Sequence, residues 1–202
     1  MNKSKLPNAI EIKNIHNEYL VNSSWPNESE FKFQLSNLIF KFIEANHFFN
    51  TSLWNEEDLA RRKTVSDSEI AKNKRVIDKF NQSRNDFIEK IDDYILKNIS
   101  FSSSENCRQN SETPGAMIDR LSILSLKIFH MTIQTKRTDV LESHVKICSE
   151  KLKVLSKQRD DLCVCFDELI EDCQNGRRYF KQYKQFKMYN DPSLNPQLYS
   201  EK

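Results

Sequence analysis

The sequence has very little glycine and proline. Two glycines and five prolines occur in 202 residues. Tight β-turns and glycine-rich phosphate-binding loops need more of these residues, so neither a sheet-rich fold nor such a loop is expected. Hydrophobic residues make up 38% of the chain, which is enough for one continuous core. We therefore expect a mainly helical protein.

The chain also lacks a strong net charge and a long apolar run. Its net charge of +2 creates no field that would attract nucleic acid or an anionic membrane. No segment approaches the roughly 18 apolar residues of a membrane-spanning helix, and no signal peptide is recognisable. A cytoplasmic protein with no membrane span and no nucleic-acid partner is expected.

Cysteine spacing indicates no metal site. Four of the five cysteines fall between positions 148 and 173 and lack zinc-like spacing with histidine. Reduced core thiols are the usual state in the cytoplasm, so no disulfide and no cofactor is expected. A metal site on Glu57, Asp58 and His130 stays open as an alternative, although the paired Glu-x-x-His motifs of di-iron bundles are absent.

The spacing of apolar residues predicts an all-α fold, an antiparallel bundle of four long helices with short terminal helices. Ser66 and Glu69 form a predicted capping box, and Thr113 precedes a proline at the first helical position. Gly176 is suited to end the last long helix. The four helices are predicted near 30–62, 67–97, 114–136 and 138–175.

The two ends of the chain are predicted to differ from the bundle. Residues 1–27 form a short helix and a linker, and residues 28–202 form the bundle domain with a basic, aromatic tail. The segment RRYFKQYKQFKMY reads as a short helix. We expect residues 177–199 to fold back onto the bundle, because their aromatic side chains need burial.

Several polar residues occupy positions where a bundle should be apolar. They are Asn46, Lys74, Asn81, Arg84 and Arg159. A buried polar group without a partner costs about 1–3 kcal/mol, so these residues need partners or a ligand. The alternative is that the helices are rotated and the long Lys and Arg side chains reach solvent.

The third helix adds a polar face. Asp119, Arg120, Lys127 and His130 fall in one arc of it, which is either a solvated surface or one wall of a site. Counting residues from the connecting turns gives each residue a position along the bundle axis. Lys127 and His130 then lie at the same position as three residues of the first two helices, Asn46, Asn81 and Arg84.

A central pocket follows from this count. With several cations and few carboxylates, it would bind an anion such as a phosphate or carboxylate, gripped by Arg84 and Lys127. His130 and Asp119 are the candidate catalytic residues, with the histidine as general acid or base. Asn46, Asn81 and Arg120 complete the candidate ligand-binding residues on the bundle helices.

Four blocks of the sequence resemble the bacterial domain-of-unknown-function 4254 family. The blocks are LWNEEDLAR (53–61), IAKNKRVIDKFNQSRNDFIEKID (70–92), ETPGAMIDRLSILSLKIFHM (112–131) and YKQFKMYNDPSLNPQLY (183–199). Together they cover most of residues 46–199.

The resemblance implies a set of motif residues that overlaps the polar positions found from spacing. At matching positions here they are Asn46, Trp54, Glu57, Asp58, Arg61, Asp78, Asn81, Arg84, Asp86, Thr113, Pro114, Gly115, Asp119, Arg120, Lys127, His130, Lys187, Tyr189, Asn190 and Asp191. Lys187 thereby joins the ligand-binding candidates. A histidine commonly follows the tryptophan in this family, whereas this chain has Asn55.

The resemblance also implies a genomic setting near glycosyltransferases of lipopolysaccharide or other surface polysaccharides. The first hypothesis is therefore a protein that binds or acts on an anionic small molecule of that biosynthesis. The second is a non-enzymatic accessory protein that binds a glycosyltransferase through exposed helical faces, with the aromatic tail as the candidate for its anchor residues. The residues leave open whether the chain is an enzyme and what its oligomeric state is.

Overall fold

The structure is a computed structural model that describes residues 6–26, 33–99, 107–184, 188 and 191–199. Those residues are mostly helical, which confirms the all-α prediction. Their elements in chain order are α1 (Ala9–Val21), α2 (Leu38–Ala60), α3 (Asp67–Asn98), β1 (Arg108–Asn110), α4 (Pro114–Thr135), α5 (Glu142–Gln174), β2 (Arg178–Phe180) and α6 (Pro196–Tyr199).

Local sequence explains where most of the long helices begin and end. The Ser66 side chain accepts a hydrogen bond from the backbone N–H of Glu69, and the Glu69 carboxylate accepts one from the backbone N–H of Ser66. This is the predicted capping box. The Thr113 side chain caps α4 by accepting a hydrogen bond from the backbone N–H of Ala116. Gly176 follows α5 with a φ of 68°, a backbone conformation that suits glycine.

Two predicted starts were wrong. Helix α2 begins at Leu38 and not near residue 30, because the side chain of Asn37 caps it. Helix α5 begins at Glu142 and not at 138, and its N-cap Leu141 provides no side-chain hydrogen bond. In both cases the apolar pattern begins several residues before the helix does.

Helices α2 and α3 form an antiparallel hairpin. Successive contacts join earlier residues of α2 to later residues of α3: Phe42 packs on Phe87 and Phe49 on Phe80, with ring centroids 6.1 and 5.9 Å apart. Closer to the turn, Asn73 donates to Glu56 over 2.7 Å. Helices α4 and α5 form a second antiparallel hairpin.

The two hairpins meet through α3, α4 and α2. At the start of α4, the backbone N–H of Gly115 donates to the buried Asp92 carboxylate of α3 over 2.6 Å. A Cβ on Gly115 would lie 2.5 Å from the carbonyl oxygen of Ile88, so only glycine permits this approach. The start of α4 is therefore level with Asp92, more than a turn before the end of α3.

Helices α2 and α4 run in the same direction and touch along one side. Asn46 contacts Asp119, and further along both helices Trp54 contacts His130. Helix α1 packs against α2, α4 and α5, so its Ile12 joins the main core. That core includes the fully buried Phe166 and Ile118.

The predicted helix after Gly176 was wrong where the structure describes it. Residues Arg178–Phe180 form a strand that pairs in parallel with Arg108–Asn110. Phe180 is buried, and the side chain of Gln182 donates to the Glu89 carbonyl over 2.8 Å. This first part of the tail lies against the bundle as predicted. No helix among the described residues is long and apolar enough to cross a membrane.

Candidate ligand-binding clefts

A buried hydrogen-bond network joins α2 to α4. The side-chain amides of Asn46 and Asn50 both donate to Oδ1 of Asp119, over 2.9 and 2.8 Å. Asn50 also lies 3.1 Å from the hydroxyl of Ser122, which contacts Nδ1 of His47 at 2.8 Å. All five residues are buried. The network fixes the face of α2 from which the clefts described below open.

The network continues into a pair of stacked histidines. His47 packs on His16 of α1, with ring centroids 4.5 Å apart, and both are fully buried. Burial lowers the pKa of His47 to about 3 and lowers that of His16 well below its ordinary value. The positive charges that His47 and Arg159 would present to His16 lower its pKa further. Both rings are therefore neutral near pH 7.

Arg84 on α3 reaches the same network from its other side. Its Nε lies 3.9 Å from Oδ1 of Asp119, and the side chain is 26% exposed. Nε is buried and has no hydrogen-bond partner among the described residues. Among the described residues, its Nη2 lies 3.5 Å from the side-chain oxygen of Asn85 and makes no other side-chain hydrogen bond. The guanidinium therefore retains donors for a further acceptor.

A cleft of about 390 Å³ opens beside this guanidinium, and we name it the Arg84 cleft. Its walls come from α2, α3 and α4. The lining residues are Asn50, Leu53, Trp54, Glu57, Asp58, Arg61, Asn81, Arg84, Ile123 and Leu126. Arg61 is bound to Glu57 over 2.7 Å, so its charge is already compensated. Arg84 is the better placed of the two cations to meet an anion.

A larger cleft of about 780 Å³, the Met131 cleft, lies mainly between α4 and α5. Trp54 and Asp58 line both clefts, so the two share a wall. The Met131 cleft is lined by Trp54, Asp58, Lys127, His130, Met131, Gln134, Glu150, Lys151, Val154, Leu155 and Gln158. Its lining is more apolar than that of the Arg84 cleft, and it contains both acidic and basic side chains.

On the side of the Met131 cleft, a second ring is stacked on the Trp54 side chain of the shared wall. Trp54 and His130 lie with centroids 4.5 Å apart and planes 4° apart. His130 lines only the Met131 cleft, so it covers the indole from that side. Burial lowers the pKa of His130, and the nearby Asp58 carboxylate opposes this shift. A neutral imidazole at pH 7 is able to accept a proton from a ligand.

The predicted site residues do not share one height. Asn46, Arg84 and Asp119 come together, and Asn81 lies beside Arg84 in its cleft. Lys127 and His130 line the other cleft. Counting from the connecting turns was wrong here, because it took Pro114 to be level with Lys97 and thereby shifted α4 along α3 by more than a turn.

The remaining predicted residues lie elsewhere. Asp119 lines neither cleft. It is buried 3.9 Å from Nε of Arg84. Arg120 is bound to Glu112 over 2.7 Å at a third depression, which it shares with Lys127. Lys74 is exposed and paired with Asp78, as the solvent-reaching alternative anticipated. Lys187 lies outside the described residues.

The cysteines and the acidic residues indicate no metal centre in the described ranges. All five cysteines are free thiols; Cys148 and Cys173 are buried, whereas Cys165 is exposed and so is not a core thiol. Within the part of the chain that the structure describes, no three His, Cys, Asp or Glu side chains are grouped as metal ligands would be.

Comparison with protein families decides where the chain belongs. The family described as "Protein of unknown function (DUF4254)" matches residues 40–182. The chain belongs to the DUF4254 family. Searches of curated proteins and of solved structures gave no match. The DUF4254 match contains every residue that lines the two clefts and leaves out α1, which contributes His16.

Sequence reasoning missed part of the buried network of this DUF4254 protein. Asn50 follows Asn46 by one helical turn, and this spacing on one face was a usable signal. His47 and Ser122 also interrupt apolar stretches. His16 carried no such signal, because its burial depends on how α1 packs across the bundle.

Proposed function

We propose that this chain binds a small molecule with a phosphate or carboxylate group, and that the anionic group sits on Arg84. The observation that carries the proposal is the guanidinium itself, which lines the cleft, is three-quarters buried and has an Nε without a hydrogen-bond partner in the part of the chain that the structure describes. Leaving such donors unmatched is unfavourable, whereas an oxyanion satisfies them with short, charge-assisted hydrogen bonds.

The rest of the Arg84 cleft suits the uncharged part of such a molecule. Asn81 offers an amide group, and Asp58 offers a carboxylate that accepts hydrogen bonds from hydroxyls. Trp54 supplies an apolar surface. A volume of about 390 Å³ accommodates a ligand of monosaccharide size, and few precisely placed polar groups on apolar walls are typical of small-molecule sites.

The proposed setting is the biosynthesis of lipopolysaccharide or another surface polysaccharide, which rests on the resemblance to the family alone. Within that setting, a sugar phosphate is the ligand class that fits best, because Arg84 donates hydrogen bonds to a phosphate and Asp58 accepts them from sugar hydroxyls. His130 remains the candidate acid or base, because its neutral ring borders the shared wall. The proposal does not require a reaction.

The test uses isothermal titration calorimetry with glucose 1-phosphate, glucuronate and glucose. We expect the two anions to bind and glucose to bind far more weakly. Arg84→Gln removes the charge and should weaken the anions about 10- to 100-fold, as expected for a charge-assisted hydrogen bond. Arg75→Gln is the matched control, because Arg75 is exposed on the same helix.

Two results would contradict the proposal. One is that neither anion binds to the wild-type protein in this titration. The other is that Arg84→Gln and Arg75→Gln weaken binding equally, since the effect would then come from net charge and not from the cleft. Circular dichroism of both variants establishes that each is folded.

The second candidate function is a non-enzymatic accessory protein that binds a glycosyltransferase. The observation that favours it is the exposed tail, where Tyr183 is 66% and Met188 is 59% exposed. Large exposed side chains of this kind anchor protein interfaces. Tyr183→Ala should then abolish co-purification with a glycosyltransferase, while leaving anion binding at Arg84 unchanged.

A further inference from the structure

The Met131 cleft has no role in binding an anion at Arg84. Its apolar lining consists of Trp54, Met131, Val154 and Leu155. Val154 is 58% exposed, although a valine gains about 1.5–3 kcal/mol from full burial. A wide depression floored by such residues is suited to cover an apolar group, and its occupant needs to be identified.

The position of this cleft indicates what occupies it. Trp54 and Asp58 line both clefts, so the two clefts adjoin and a molecule held at Arg84 enters the Met131 cleft if it extends past these two side chains. The larger cleft has about twice the volume of the smaller. A ligand that fills both therefore has an anionic end and a larger apolar part.

The charged residues of the two clefts differ in burial and not in number. Each cleft is lined by two cations and two carboxylates, and the cations of the Met131 cleft, Lys127 and Lys151, are exposed. Arg84 in the smaller cleft is three-quarters buried and lies 3.9 Å from Asp119, so its charge is less screened by water than that of an exposed lysine. The anionic end belongs at Arg84, and the apolar part lies over Met131.

A further exposed apolar residue lies beyond the cleft on α5. Ile147 precedes Val154 by seven residues, which places both on one face of the helix. Ile147 is 51% exposed. The charged Glu150 and Lys151 lie between Ile147 and Val154, so the apolar part of the ligand is received by the cleft itself.

We propose that the ligand is an amphiphile, with a phosphate or carboxylate at Arg84 and an alkyl or prenyl chain in the Met131 cleft. This inference rests on the proposed anion site and extends it by naming the second part of the ligand. The chain contributes affinity through burial of its methylenes, so affinity depends on chain length.

The experiment is a calorimetric titration with inorganic phosphate, butyl phosphate and decyl phosphate, each below its micelle-forming concentration. Affinity should increase along this series. Each methylene that becomes buried should contribute a factor of about four until the chain extends past the cleft. Equal affinities for the three probes would overturn the inference.

Two variants locate the chain. Val154→Asp places a charge in the apolar lining and should reduce the ratio of decyl phosphate to inorganic phosphate affinity toward one. Val164→Asp is the matched control, because Val164 is 57% exposed on the same helix and does not line the cleft. An undiminished ratio in Val154→Asp would also overturn the inference.

The design separates this inference from the proposed anion site. If Arg84→Gln weakens all three phosphates but chain length has no effect, only the amphiphile is excluded. If no probe responds to Arg84→Gln, the anion site itself fails. Uridine 5′-monophosphate serves as a further probe. If this nucleotide binds more tightly than decyl phosphate, the Met131 cleft prefers a planar ring to an alkyl chain, which would overturn the inference.

A lipid in a membrane and a free amphiphile present the same chemistry. Vesicles of phosphatidylcholine with and without phosphatidic acid distinguish these sources. Sedimentation of the protein with the phosphatidic acid vesicles alone, lost in Val154→Asp, supports a membrane lipid. A free amphiphile is supported if decyl phosphate binds and neither type of vesicle sediments the protein.

Discussion

One oxygen atom of Asp119 lies next to Arg84 and accepts hydrogen bonds from two asparagines. Nε of Arg84 lies 3.9 Å from Oδ1 of Asp119, the same atom that accepts hydrogen bonds from Asn46 and Asn50. One buried carboxylate thus orients groups from α2 and α3. Arg84 therefore has a structural neighbour in Asp119, and this contact is compatible with the proposed binding of an anion.

Replacement of Arg84 should therefore change stability as well as binding. We expect Arg84→Met to lower the free energy of unfolding by about 1–3 kcal/mol, because the buried Asp119 carboxylate loses its nearest cation. The double variant with Asp119→Asn should recover part of this loss, which urea unfolding measures. Additive effects of the two changes would show that the residues are not coupled.

Gly115 should tolerate no side chain. A Cβ there would lie 2.5 Å from the Ile88 carbonyl and 2.9 Å from the Asp92 carboxylate, so α4 would have to move away from α3. We expect Gly115→Ala to destabilise the protein by about 2–4 kcal/mol in urea unfolding, as other overpacked sites do. Ala116→Ser is the neighbouring control, and equal stability of both variants would contradict the close approach.

The stacked histidines predict a loss of stability in acid. The unfolded chain takes up protons near pH 6.5, whereas His47 in the folded protein does so only near its pKa of about 3. Unfolding therefore becomes easier as pH falls through this window. His16→Phe retains a stacked ring without a titrating group, so its stability should decline less between pH 6.5 and 4 than that of the wild-type protein.

His144→Phe provides the comparison for that experiment, since His144 lies on α5 and is only partly buried. Its stability should follow the wild-type dependence on pH more closely than that of His16→Phe. An identical acid decline in His16→Phe and the wild-type protein would show that His16 does not contribute. The measurement is the urea midpoint at each pH.

Protonation of His130 should be visible in tryptophan fluorescence. The chain has two tryptophans, so Trp25→Phe leaves Trp54 as the only reporter. Because Trp54 stacks on His130 with a centroid distance of 4.5 Å, a charge on the imidazole should quench its emission. Burial lowers the pKa of His130, so the midpoint should lie below 6.5. A midpoint above that value would contradict the buried placement, and His130→Gln should abolish the transition.

The helices were largely predictable because their signals are local. The Ser66 capping box, the Thr113 cap and the glycine after α5 each depend on residues within one turn. The strand Arg178–Phe180 was not predictable, since its partner lies before α4. Its basic and aromatic composition is equally compatible with a helix.

The candidate site was predictable in its composition but not in its arrangement. Spacing alone selected Asn46, Asn81 and Arg84 as polar residues in an apolar face, and the structure brings them to one side of the bundle. The division into two clefts depends on how far α4 is shifted along α3. The contact of Gly115 with Asp92 sets that shift, and no periodicity encodes it.

The parallel pair of strands has a consequence for the order of folding. Gln109 and Tyr179 are separated by 70 residues, and their side chains meet only when α4 and α5 have closed into a hairpin. Closure of so long a loop costs entropy before any strand hydrogen bond forms. The strands therefore pair late, and their amide protons should exchange with solvent earlier than those of the α4–α5 hairpin that holds them together.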